Sequence, residues 1–216
     1  VMLTVHENKL VSNYIELRSL SDANTTDGLL AISDAYYGNN RPSITDNGCQ
    51  NGESCIEYNG LVWGLDASKG IVWQYDNNGD SAISAYKMIS FFKDFCVKGI
   101  GYCIPTYDKY RNELIFSIKN SEQTITIAYD NAKNRWSTFY SFTPEYFGAV
   151  GTNVVSFVNG ELWIMDKNSV YNNFFGVQYD SRLTIIPNDN SELNKVWDCV
   201  KLENLEDANK MLNNWE

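Results

Sequence analysis

Asn59-Gly60-Leu61-Val62-Trp63-Gly64-Leu65-Asp66 is a tight turn feeding an apolar strand, and the chain writes that phrase three times. It returns as Arg111-Asn112-Glu113-Leu114-Ile115-Phe116 and as Asn159-Gly160-Glu161-Leu162-Trp163-Ile164-Met165-Asp166, starting 52 and then 48 positions further on. Trp63, Ile115 and Trp163 hold the same place in each copy. A period near fifty residues built from turn and strand chemistry points to stacked or radially arranged β-units such as propeller blades. One such unit cannot bury its apolar face alone and needs neighbours. The Asn-Gly pairs suit the positive φ values of a type I′ turn, which makes Gly60 and Gly160 structural residues.

On either side of the first copy the pattern is a meander. Ile56-Glu57-Tyr58, Leu61-Val62-Trp63 and Ile71-Val72-Trp73-Gln74-Tyr75 read as three strands joined by Asn59-Gly60 and by Asp66-Ala67-Ser68-Lys69-Gly70. Residues 84–95 break the rhythm, with apolar positions at 85, 88, 89, 92 and 95 that fit a short crossover helix. A second unit spans about 101–142 with strands at 113–118, 124–129 and 136–142, and Thr124-Ile125-Thr126-Ile127-Ala128-Tyr129 alternates as a half-buried strand should. A third starts near Phe147 and pairs 154–158 with 161–165. Strands at 182–186 and 196–202 read as a separate sheet, and 205–215 as an amphipathic helix or a frayed end. The expected fold is all-β: propeller-like blades over residues 1–175, then a second β-sheet segment over 176–216.

Composition narrows the function classes. The chain is 44% hydrophobic and 14% aromatic, too rich for disorder. A net charge of −10 is the opposite of what phosphate neutralisation needs, and no basic run offsets it, so DNA, RNA and anionic membranes should be repelled. Five cysteines, an odd number spaced C-x5-C and C-x6-C, fit neither a closed disulfide framework nor a zinc knuckle, and read as buried fillers in a reducing compartment. No apolar run is long enough to span a bilayer. Met2 in second place, with no basic leader before it, reads as an internal piece of a longer polypeptide.

No catalytic, cofactor or metal constellation emerges. Asp76-Asn77-Asn78-Gly79-Asp80 opens like a calcium loop but continues with Ser81 and Lys87 where glycine and glutamate are required. Asp66-Ala67-Ser68-Lys69-Gly70 approaches a sialidase Asp-box in reversed order and is better read as a turn. His6 is the one imidazole for any Ser or Cys nucleophile. Glu53, Glu57, Asp66, Asp130 and Asp166 offer carboxylates for acid–base work, but carboxylates are common at turns. Gly99-Ile100-Gly101 lacks the third glycine of a dinucleotide site. Trp63, Trp73, Trp136 and Trp163 read as core or inter-blade packing ahead of sugar platforms. The chain is therefore expected not to be an enzyme.

Longer ordered motifs bring a resemblance. Gly48-Cys49-Gln50, Glu53-Ser54, Glu57-Tyr58-Asn59-Gly60, Asp66 and Gly70 are followed by Ser84-x-Tyr86-Lys87-Met88-x-Ser90-Phe91-Phe92. Later come Trp136-Ser137-x-Phe139-Tyr140-Ser141-Phe142-x-Pro144-Glu145 and Asn173-Phe174-Phe175-Gly176-Val177-Gln178-Tyr179-Asp180-Ser181. Over residues 45–200 the order resembles the tail-nozzle, or muzzle, proteins of short-tailed crAss-like bacteriophages, often called stabilization proteins. The resemblance implies a virion tail protein, assembled in the bacterial host cytoplasm, with a β-propeller and a β-sandwich platform. It implies self-association into a closed ring, a hexamer, beside other phage tail proteins. Such a nozzle retains packaged double-stranded DNA and lets it pass without tight binding. The alternative is a carbohydrate-binding or glycan-cleaving β-propeller at a host surface, with exposed Trp and Asp at the blade tops; a bacterial scaffold propeller comes third.

Overall fold

A computed structural model describes residues 2–13, 40–184, 192–194 and 196, and the backbone of 19–20 and 31–32. The chain divides into two units, Val1–Asp180 and Ser181–Glu216. The strand expected at 196–202 and the tail at 205–215 lie outside the described residues, apart from Val196. Residues 182–184, expected to open a strand, have no regular structure, and the rest of that strand, 185–186, lies outside the described residues.

Among its described residues the first unit is all-β with one α-helix. Its strands are β1 (Met2–Val5), β2 (Leu10–Asn13), β3 (Ser19–Leu20), β4 (Ala31–Ile32), β5 (Asn40–Pro42), β6 (Ile56–Tyr58), β7 (Leu61–Asp66), β8 (Ile71–Asp76) and β9 (Gly79–Ala82). After helix α1 (Ile89–Cys96) come β10 (Ile100–Asp108), β11 (Glu113–Asn120), β12 (Thr124–Asp130), β13 (Arg135–Tyr140), β14 (Tyr146–Val150), β15 (Asn153–Val158), β16 (Glu161–Ile164), β17 (Asn173–Phe174) and β18 (Val177–Gln178). Two complete four-stranded meanders, β6-β7-β8-β9 and β10-β11-β12-β13, are followed by the three-stranded β14-β15-β16, and β1-β2-β5 precedes them. Every pairing is antiparallel.

These sheets pack face against face in chain order. Because side chains alternate across a strand, Trp63 and Leu65 of β7 point one way and meet Leu114, Phe116 and Ile118 of β11, with Phe92 and Phe95 of α1 in the same cluster. Ile104 of β10, Ile115 of β11 and Ala128 of β12 point to the other face and meet Phe147 and Val154 of the third sheet. Trp73 of β8 faces backwards, onto Leu10 and Cys49, with Leu3 and Val5 of β1 alongside. The two middle sheets are thus buried on both faces.

Both Asn-Gly corners form as expected. Asn59 and Gly60 have φ of 54° and 79°, Asn159 and Gly160 have 53° and 77°, and each pair closes a two-residue hairpin. The middle copy departs from the phrase: Asp108 pairs with Glu113, so its corner has four residues and only Asn112, at φ 56°, is left-handed. The third copy is also shifted. It joins the second and third strands of its sheet, whereas the first two copies join the first and second. Trp163 lies opposite Ser156 on the face turned back toward the second sheet, half-buried with its ring 5.8 Å from Phe175.

Besides the short strands β1–β5, β17 and β18, which the sequence reading did not expect, three strands of the larger sheets escaped the pattern. β9 is polar, β10 contains Gly101 and Pro105, and β14 is interrupted by Gly148. Proline is tolerated in β10 because it is an edge strand. The helix begins at Ile89 rather than 85, since Ile83–Ala85 is a 3-10 turn and Lys87 takes a left-handed φ of 62°.

Trp73 dictates its own surroundings. Its indole N–H donates to the Gly48 carbonyl at 2.7 Å, and its ring lies over Gly64, where a Cβ would sit 2.3 Å from the ring. Gly64→Ala is therefore expected to destabilise the chain by about 1–3 kcal/mol through overpacking, read as a lower denaturation midpoint.

Candidate functional site

Three corners share one formula: Asp66-Ala67-Ser68-Lys69-Gly70, Asp108-Lys109-Tyr110-Arg111-Asn112 and Asp130-Asn131-Ala132-Lys133-Asn134. In each, the aspartate ends a strand and pairs with the residue just past a four-residue loop. Each loop ends on a left-handed Gly70, Asn112 or Asn134 at φ 64°, 56° or 50°. A short carboxylate next to a turn accepts the backbone donors that the turn leaves free. Asp108 Oδ1 takes the N–H groups of Tyr110 and Arg111 at 2.8 and 3.1 Å, Asp130 Oδ1 those of Ala132 and Lys133 at 3.0 Å, and Asp66 Oδ1 that of Lys69 at 3.2 Å. The basic residue then folds over its own aspartate, at 3.8 Å for Lys69, 3.9 Å for Arg111 and 3.0 Å for Lys133. A hydrogen bond from Lys133 holds the Asp130 carboxyl below the usual carboxylate range, against the opposing effect of burial.

The Arg111 corner carries the richest cluster. Arg111 donates through Nη2 to Asp166 Oδ1 at 2.6 Å and through Nη1 to the Tyr140 hydroxyl at 3.0 Å. Tyr140 donates in turn to Glu113 Oε2 at 3.0 Å. Burial, and then the neighbouring Glu113 carboxylate, push the Tyr140 phenol up to about 12. Burial also raises Asp166, against the pull of Arg111. Beneath lie Ile115, Phe142, Phe147, Val154 and Phe174, around about 10 Å³ of free space, room for one water. The arrangement spends its charges on fastening β11, β13 and the segment after β16 together.

Asp66 is the other hub, and it is fully buried. Its Oδ2 accepts the Gly48 N–H at 3.0 Å; its Oδ1 accepts Gln50 Nε2 at 3.1 Å and Ser68 Oγ at 2.6 Å. Gln50 Oε1 accepts the N–H groups of Ala67 and Ser68 at 2.7 and 3.2 Å, and Gln50 Nε2 also reaches the Glu7 carbonyl at 2.6 Å. One carboxylate thus ties the segment around Gly48 to the Asp66 corner. Asp80 does the same next door, taking Asn47 Nδ2 at 2.7 Å together with the hydroxyls of Ser43 and Thr45. Burial opposes the Asp80 charge, but those three donors outweigh it and hold the carboxyl below its usual range.

The residues singled out by sequence fall into place one by one. Gly60 and Gly160 are the left-handed turn residues. Trp63 and Trp73 are fully buried, with Trp63 Nε1 donating to Gln74 Oε1 at 2.9 Å. Neither has a free face for a sugar, which removes them as glycan platforms. Trp136 donates to the Ile83 carbonyl at 3.2 Å and packs 4.8 Å from Phe92. In the calcium-like stretch the two aspartates part company: Asp76 accepts the Asn78 N–H at 2.7 Å while Asp80 faces Asn47. No group of three or more His, Cys, Asp or Glu side chains suited to a metal occurs among the described residues. Cys96 and Cys103 are core residues, and burial pushes the Cys96 thiol up to about 11. Cys49 lies beside Cys55, and that contact draws the Cys49 thiol down against its burial and raises Cys55, while Cys49 Sγ donates to the Asn51 carbonyl at 2.7 Å and lies 2.7 Å from Ser54 Oγ. The Cys49 N–H donates to the His6 carbonyl at 2.9 Å, and the exposed His6 ring sits on the turn between β1 and β2. Cys199 is outside the described residues. Sequence reasoning missed the clasping role of Asp108, Arg111 and Tyr140, although the thrice-repeated Asp-x-x-Lys/Arg-Gly/Asn formula was there to be read.

No protein-family model matches the chain, and no curated protein is significantly similar to it.

Asp66→Ala strands the buried Gly48 N–H and removes the acceptor shared by the Ser68 hydroxyl and the Lys69 N–H, and is expected to cost about 3 kcal/mol, seen as a lower urea midpoint at unchanged slope. Asp80 sets a pH dependence. Its folded pKa lies below its unfolded one, so its contribution is complete above the unfolded value near ~3.9 and is lost as pH falls through the folded value. The melting-temperature difference between the native chain and Asp80→Asn is therefore expected to be flat above about pH 5 and to vanish in more acid buffer.

Proposed function

We propose that this chain is a non-enzymatic wall segment of a phage tail nozzle, built of propeller-like blades, in a ring that holds packaged DNA and lets it pass. The observation that carries the reading is the serial face-to-face packing of antiparallel meanders whose most elaborate polar clusters are consumed in holding corners. Fully buried Trp63, Phe92 and Phe116 between the first and second meanders, and Trp73 against the N-terminal strands, give those layers bulk and stiffness. A net charge of −10 suits a wall along which a duplex must slide, since every phosphate contact would act as a brake. The resemblance over residues 45–200 supplies the particular setting: the virion tail, a hexameric ring and neighbouring tail proteins. The propeller-like description is supported by the sheets following one another in chain order, the first and second meanders joined through α1 and the second and third sheets by the short segment 141–145.

Two measurements test the reading. In intact particles, electron microscopy with antibody labelling is expected to place the chain at the distal tip of the tail; labelling of the capsid or of the host surface overturns it. Purified chain is expected to leave double-stranded DNA unretarded even at low salt, where phosphate contacts are strongest. Tight duplex binding overturns the lubricated wall.

A further inference from the structure

Cys49, Cys55, Cys96 and Cys103 lie among the described residues, all as free thiols. Cys96 and Cys103 belong to the core between the first two meanders. Cys49 and Cys55 are placed differently, together in the cluster around Trp73, on the connection that leads into β6. That connection curls around the Cys49 sulfur. Cys49 Sγ donates to the Asn51 carbonyl and touches Ser54 Oγ, with Gly52–Ser54 wound as a single 3-10 turn between them. Cys55 follows Ser54 directly, leaves the turn in extended backbone, and brings its thiol against that of Cys49. Cys49 is nearly buried and Cys55 half-buried, so the pair is approached from the Cys55 side.

The backbone is already held for a bond between them. The Gly48 N–H is fixed on Asp66 and the Gly48 carbonyl on the Trp73 indole, while the Cys49 N–H donates to the His6 carbonyl. Two thiols in contact on a fixed loop need little further ordering to join. We propose that Cys49 and Cys55 form a reversible disulfide site, closed by a small-molecule disulfide, and that the closed bond clasps the loop at 48–54 to the start of β6. One thiolate attacks a sulfur of the reagent, giving a mixed disulfide and one reagent thiol. The other thiolate attacks the protein sulfur of that mixed disulfide and releases the second reagent thiol. Two electrons and two protons pass from the cysteine pair to the reagent, and excess reagent thiol reverses both steps. The closed loop restricts the unfolded chain and so stabilises the folded one. The inference does not depend on the tail-nozzle reading.

Millimolar oxidised glutathione, added to the native chain, tests the site. The intact mass is expected to fall by two hydrogen atoms. A glutamate-specific protease cuts after Glu53, between the two cysteines, and is expected to yield one linked pair of peptides that dithiothreitol separates. The oxidised chain is expected to melt roughly 5 °C above the reduced one, and dithiothreitol to return it. Cys55→Ser, the milder change because that side chain is half-buried, is expected to lose the link and the shift together. The peptide map uses the native chain and stands whatever the variant's folding. Thiols that stay reduced, a glutathione adduct that does not resolve, or a link to Cys96, Cys103 or Cys199 overturn the site. An oxidised chain no more stable than the reduced one, or a shift that survives in Cys55→Ser, overturns the clasp.

Discussion

An antiparallel meander of four strands has two faces, and in this chain both faces of the middle sheets are apolar. Trp63 and Trp73 come from neighbouring strands of one sheet yet belong to different clusters, one ahead and one behind. Neither cluster can be dried without another sheet laid on it. That requirement sets the order of everything else. The N-terminal strands cover Trp73, the second sheet covers Trp63, and the third covers Ile115. Where the succession stops among the described residues, at the Tyr146–Phe157–Leu162 row, an apolar face is left open.

Polar chemistry then fixes what apolar packing leaves loose. Sheet faces tolerate sliding, because burial is non-directional. The carboxylates are directional. Asp66 binds the Gly48 backbone and the Gln50 side chain to one corner, Asp80 binds the segment at 43–47 to β9, and Arg111 binds Asp166 to the edge of the second sheet. In each case a strand end is tied to chain distant in sequence. A protein with a large excess of acid thus places several of its carboxylates where backbone and side-chain donors neutralise their need for water.

Much of this was legible in the sequence, and the failures have physical reasons. The Asn-Gly corners are local signals and reported correctly. The alternation at 124–129 found a strand, though one buried on both faces rather than half-buried. The stripe at 85–95 found a helix but placed its start four residues early. β9 and β10 stayed hidden because Gly79, Asp80, Gly101 and Pro105 look like loop residues until edge pairing is supplied by a neighbour. The Arg111-Asn112 copy fed a real strand through a different kind of corner, since only its last residue needs φ above zero. Trp163 matched Trp63 in spelling and not in direction, because its strand occupies another place in its sheet. The Asp66 and Asp80 clusters depend on Gly48, Gln50, Ser43 and Asn47 meeting them in space, and no periodicity announces a contact between a loop and a strand end.

The three aspartate corners have one more implication. Lys69, Arg111 and Lys133 are the residues after which a trypsin-like protease cuts, and exposed loops are where such cuts usually fall. A protease must draw several residues of its target into an extended thread. Here each basic side chain lies against its own aspartate, and the next residue is wound left-handed. The loops that look most vulnerable to digestion are shaped so that the enzyme finds no thread to pull.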